Sequence, residues 1–182
     1  MALKLAELEK LVEAEDMRYF RDPTRDALML GAKGISGRYQ FVILLELDGQ
    51  FLQFRTINYQ YCTANHKHLN AVLQVLGALN YRLRLAKFGW DESDGEIVVY
   101  ADHWIMDGKV TQEQFSRMLH NYLPAVDLSN PRIAKTMETG EDPGELDPQQ
   151  ILAMILEQVG DAGDDEEKGD DKKKKKPKTK KI

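Results

Sequence analysis

The hydrophobic positions of this chain fall into alternating blocks of helical and strand spacing. Leu5, Leu8, Leu11 and Val12 recur as one stripe, with Glu7, Glu9, Lys10 and Glu13 mostly elsewhere, so the pattern predicts a helix over about 2–15. Asp22-Pro23-Thr24 is turn chemistry, and Ala27–Leu30 reads as a short strand. The glycine-rich stretch Gly31–Gly37 then reads as a connection. The clearest local signal is a hairpin. Arg38–Leu47 and Gln50–Ile57 flank Asp48-Gly49, which suits a type I′ turn with positive φ at both central residues. That turn would pair Leu45 with Leu52 and Ile43 with Phe54. One face would carry Tyr39, Phe41, Ile43, Leu45, Leu52 and Phe54 and should meet helices. The other face mixes Val42, Leu44, Phe51 and Ile57 with Gln40, Glu46, Gln53 and Arg55.

Leu69, Val72, Leu73, Leu76 and Leu79 predict a second helix over about 65–79. Arg84–Trp90 and Glu96–Trp104 form a second predicted hairpin. Thr111-Gln-Glu-Gln114 has the form of a capping box and opens a third helix with Phe115, Met118, Leu119, Tyr122 and Leu123 inside. Pro124 is expected to end that helix or to kink an extension toward Leu128. The expected organisation is therefore an α+β domain over 1–128, ordered α-β-β-β-α-β-β-α, with a largely antiparallel sheet packed on helices. An acidic linker over 129–147 follows, then a short amphipathic helix over 148–159 that Asp147 caps. Residues 160–182 have no apolar periodicity and read as a disordered, acidic-then-lysine tail.

Composition sharpens this in one place. The net charge of −5, from 25 basic and 30 acidic residues, gives no general nucleic-acid-binding signal. The average hides a sharp division: 161–171 hold seven acids and one lysine, and 172–182 hold eight lysines and no acid. Lys172, Lys173, Lys174, Lys175, Lys176, Lys178, Lys180 and Lys181 are thus candidates for salt-sensitive, sequence-blind contact with nucleic acid, a ribosome or an anionic membrane. A solvated tail that aids solubility is the commoner explanation of such a run.

Candidate catalytic chemistry is sparse. The glycine spacing matches neither a Walker nor a dinucleotide motif, and the loop leads into a strand rather than a helix N-terminus. His66 and His68 are two apart, with His103 and His120 in separate elements, so no set of metal ligands converges. Asp48, Asp94 and Asp107 each precede glycine, as turn residues do. Cys62 is the single cysteine, which excludes an intrachain disulfide and reads as a packing residue. No catalytic residue, cofactor or metal is expected. No stretch approaches the ~20 apolar residues of a membrane span, and no signal peptide is evident, so an intracellular protein is expected.

With its elements placed, the chain resembles the YbjN-like family of small bacterial proteins, described as sensory transduction regulators and similar in fold to type III secretion chaperones. The resemblance spans about Leu3–Leu123. It rests on the leucine-rich first helix, the Asp48-Gly49 hairpin with Phe51 and Leu52, and the second helix closing in Leu79-Asn80. Asp94-Gly95-Glu96-Ile97 and Thr111-x-x-x-Phe115 continue it. It implies a non-enzymatic, cytoplasmic protein that binds other polypeptides and forms a homodimer. The expected interface comprises Val42, Leu44, Phe51 and Ile57 of the mixed face, with Trp90 and Trp104 at strand ends. A tail-mediated nucleic-acid or ribosome-associated protein is the alternative, and an uncharacterised enzyme a weaker one.

Overall fold

The structure, a computed structural model, describes residues 2–105 and 109–156. Its contacts group the chain into residues 1–145 and 146–182. In the first unit the order is α1 (Leu5–Glu13), β1 (Tyr19–Arg21), β2 (Ala27–Lys33), β3 (Arg38–Glu46), β4 (Phe51–Ile57) and β5 (Gln60–Tyr61). Then come α2 (Leu69–Arg82), β6 (Lys87–Trp90), β7 (Glu96–Trp104) and α3 (Gln112–Thr139). All strand pairs are antiparallel, in the order β1-β2-β3-β4-β7, with β5 and β6 also on β7. The α+β class and the helix-backed antiparallel sheet agree with the sequence pattern. The short strands β1 and β5 are additions to it.

The first hairpin has the predicted register, Leu45 opposite Leu52 and Ile43 opposite Phe54. Asp48 (φ 54°, ψ 37°) and Gly49 (φ 81°) take the predicted positive φ, but Leu47 (φ 50°) joins them. The strand therefore ends at Glu46, and Gln50 N–H reaches both Glu46 O (3.1 Å) and Leu47 O (3.2 Å), a longer loop than the expected two-residue turn. Tyr39, Phe41, Ile43, Leu45, Leu52 and Phe54 are all buried beneath the helices. The rings of Phe41 and Phe54 lie 6.0 and 5.5 Å from that of Tyr122 on α3, whose hydroxyl donates to Val99 O of β7 at 2.9 Å. Sheet and helix are therefore joined by aromatic packing and by a satisfied buried hydroxyl. The capping box forms as predicted: Thr111 Oγ1 accepts from Gln114 N–H, and Gln114 Oε1 accepts from Thr111 N–H.

The main correction is the length of α3. It passes through both Pro124 and Pro131 and ends at Gly140, so residues 129–139 are helix where linker was expected. The buried stripe continues through Ala125, Val126, Ser129, Ile133 and Thr136 at helical spacing. Each proline removes an N–H donor, leaving the carbonyl four residues earlier without its helical partner. For Pro131 that carbonyl belongs to Asp127, and the Ser36 hydroxyl donates to it at 2.6 Å. The same hydroxyl proton reaches Asp127 Oδ1 at 2.8 Å, while the Tyr39 hydroxyl lies 2.6 Å from Ser36 Oγ. Asp127 also accepts from the Ile35 and Ser36 amides at 2.6 and 2.8 Å. Two further bonds tie this stretch of α3 to the sheet: Tyr59 donates to Val126 O (2.7 Å) and Gln60 Nε2 to Asn130 O (3.0 Å). A Cβ on Gly34 would lie 2.3 Å from the Asp127 carboxylate, so a side chain there would displace the carboxylate from the turn amides.

In the second unit, residues 148–156 are helical. Asp147 Oδ1 accepts from the Gln149 and Gln150 amides, both at 2.8 Å, which is the predicted cap. Residues 157–159 of the expected helix, and the whole tail with its eight lysines, lie outside the described residues.

Asp127→Ala is expected to lower unfolding stability by about 3 kcal/mol, the scale of losing charge-assisted bonds to buried donors. Ser36→Ala should cost less in a Pro131→Ala background, where an α-helical N–H again serves Asp127 O. Urea unfolding of the four chains of that cycle measures the coupling.

Candidate interaction face

Alternation sends every second strand residue to the sheet face away from the helices. There Ala27, Met29, Val42, Leu44 and Ile57 form a second, smaller apolar cluster. Val42 and Leu44 are buried, and Met29 and Ile57 are half-buried. Phe20 stands opposite Met29 on the edge strand β1 and is 78 % exposed. At one end of the face Phe51 pairs with Trp104 across β4 and β7, their rings edge-on at 5.1 Å, with Trp104 62 % exposed. Between these apolar groups run polar cross-strand pairs: Gln53 Nε2 donates to Asp102 Oδ1 at 2.7 Å, and Arg55 meets Glu96 at 3.2 Å.

Five of the six expected interface residues, Val42, Leu44, Phe51, Ile57 and Trp104, thus share the outer face. Trp90 does not. It pairs with Ile97, whose side chain is in the core, so it lies on the helix side, half-buried. Its indole N–H donates to Cys62 O at 2.7 Å. Hairpin parity already separated the two tryptophans: Ile97, Val99 and Ala101 face the core, and Trp104 has the opposite parity. Phe20 and Met29 were the residues missed on this face: the three-residue β1 has too short a pattern to read, and the strand predicted at Ala27–Leu30 had no pairing to fix its faces.

A cleft opens where β3 and β4 part. Gln40 opposite Ile57 is their last pair. On β7, Arg55 faces Tyr100 but Gln60 faces Ile97, so four residues of one chain oppose two of the other. Asn58 takes up the excess with φ 51° and accepts from the Tyr61 hydroxyl at 2.8 Å. The resulting cleft measures about 780 Å³ and is lined by Lys33, Arg38, Tyr39, Asn58, Tyr59 and Asn130, among others. A smaller groove of about 350 Å³ adjoins it beside Phe20, Met29 and Leu30, and the two share Gly31, Gln40 and Ile57. Burial pushes the Tyr39 hydroxyl up to about 12, with a smaller opposing effect from Ser36. Burial also raises Tyr59 above the usual tyrosine range.

The other candidates have structural places. The glycine-rich turn does cradle an anion with backbone amides, and that anion is the chain's own Asp127. Cys62 is fully buried, which pushes its thiol up. Asp91 receives the amide and hydroxyl of Ser93 within its turn. Among the described residues no three histidine, cysteine or acidic side chains gather as a metal site, and no helix is long and apolar enough to cross a membrane.

An antiparallel sheet clad by helices on one face, with aromatic residues open on the other, is the α+β scaffold of this chain. The chain belongs to the YbjN family: residues 4–134 match its profile, described as "Putative bacterial sensory transduction regulator". The crystal structure of YbjN from E. coli superposes with a TM-score of 0.52 at 18 % identity, covering 70 % of this chain and 91 % of that one. That likeness shows the fold. A chain of the HopA1–SchA chaperone–effector complex gives 0.45 at 12 % identity, over 65 % of this chain and 86 % of its own. A chain of the ExsC–ExsE complex gives 0.44 at 16 %, over 73 % and 97 %. No curated protein matches the sequence.

Because the Tyr39 hydroxyl ionises higher when folded than when unfolded, its contribution to stability is full below about pH 10 and falls as pH rises through about 12. Tyr39→Phe should flatten that alkaline fall in part, as followed by urea unfolding at pH 9 to 12.

Proposed function

We propose that this protein is a non-enzymatic, cytoplasmic regulator that works by binding polypeptides on the sheet face away from the helices. The observation that carries the reading is the set of apolar side chains that face leaves open, Phe20 and Trp104 above all. Large aromatic side chains bury much area for few rotatable bonds, which is why they anchor interfaces. The polar pairs Gln53–Asp102 and Arg55–Glu96 between them give the face the mixed character of a surface that must also stay solvated. The family's description as regulators agrees with a role carried out through partners. Self-association belongs to the same reading, with the Phe51–Trp104 pair of one copy meeting that of another.

Site-specific photo-cross-linking tests this in living cells. A benzophenone side chain at position 20 or 104 is expected to give discrete protein adducts, with one at twice the chain mass reporting the homodimer. Position 81 is the control, since Tyr81 is 92 % exposed but sits on α2, on the sheet's opposite side. Equal adducts from positions 20, 104 and 81, or none from 20 and 104, would overturn the assignment of the face.

A further inference from the structure

Lys33 and Arg38 stand directly opposite each other at the open end of the β2–β3 ladder. Like charges in directly opposed positions are destabilising. Both side chains are exposed, and among the described residues neither has an ion-pair partner. They line the cleft together with the amides of Gln40, Asn58 and Asn130. The carboxylate that reaches Tyr39 at this place, Asp127, is already engaged by the turn amides. In a chain of net charge −5 this is a local cationic spot.

The cleft's other end runs into the apolar groove through Gly31, Gln40 and Ile57. One continuous surface therefore passes from Phe20 and Met29 to Lys33 and Arg38. Side-chain amides offer both donors and acceptors, as an extended peptide backbone requires. We propose that this surface takes an extended polypeptide segment in which apolar residues lie beside a run of aspartates or glutamates. The apolar residues rest against Phe20, Met29 and Ile57, and the carboxylates meet Lys33 and Arg38. This rests on the polypeptide-binding reading above and gives its partner a chemistry. A small anion alone would use the cleft and leave the groove empty.

The test selects ten-residue peptides from a random displayed library on the full-length protein, at low salt. Selected sequences are expected to place Asp or Glu next to Leu, Ile or Phe. A fluorescein-labelled peptide of that kind should bind about tenfold more weakly to the Lys33→Glu/Arg38→Glu chain, the scale of losing two exposed charge pairs and adding repulsion. Its affinity for the wild type should fall as salt rises. Selection on the double variant should enrich Lys and Arg instead. A Lys33→Gln/Arg38→Gln chain, with circular dichroism confirming its fold, should lose the acidic preference without reversing it. Apolar sequences without acidic bias would overturn the charge assignment and leave the binding face standing. An acidic preference unchanged in the double variant would place the carboxylates on the lysine run 172–182 and overturn it likewise. Inhibition by citrate of the labelled peptide, with no contribution from its apolar residues, would assign the cleft to small anions. Selection of no sequence at all would overturn the face as well.

Discussion

The molecule is organised around one buried carboxylate. Asp127 sits in the middle of α3 and receives two backbone amides and a hydroxyl from the turn between β2 and β3. Each partner requires the other. Without Asp127 the Ile35 and Ser36 amides would lack these acceptors, and without Ser36 the Asp127 carbonyl would lack the donor that replaces the one Pro131 cannot supply. The glycine at 34 is what leaves room for the Asp127 carboxylate against the turn. Tyr59 and Gln60 fasten to the same stretch of helix from the other side of the cleft. The cleft is thus held open between two pinned walls, and the neighbouring sheet face inherits its position from them.

Much of the fold was legible because its signals were local or strictly periodic. The Asp48-Gly49 turn and two alternating strands specify a register, since a slip of one residue would turn Phe41 and Phe54 to the wrong face. Thr111 and Gln114, and Asp147 with Gln150, specify helix starts by reciprocal bonds within four residues. The second half of α3 was not legible. Its buried stripe uses Ala125, Ser129 and Thr136, which carry little hydropathy signal, and its prolines argue for an end. The bonds that rescue it come from residues 91 and 92 positions away, so no window of sequence contains them.

The interaction face was legible in part for the same reason. Val42, Leu44, Phe51 and Ile57 share strand parity within one hairpin, and that parity needs no tertiary knowledge. Phe20 joins them only because β1 pairs with β2, which three residues of sequence cannot announce. Lys33 and Arg38 fell inside or beside a stretch read as loop, so their opposition across a ladder was invisible until β2 was seen to reach Lys33. The splitting of Trp90 from Trp104 was available from the pairing of the second hairpin, whose core-facing residues are Ile97, Val99 and Ala101.

The separation of Ser36 from its helix partner also sets an order of events during synthesis. The β2–β3 hairpin leaves the ribosome first, and residue 127 follows 91 positions later. At a translation rate of about 5–20 residues per second, that interval is roughly 5–20 s. Throughout it the nascent hairpin carries a glycine-rich turn whose amides have no carboxylate to receive them. Docking of α3 therefore closes the domain, and the hairpin made first waits for the helix made last in it.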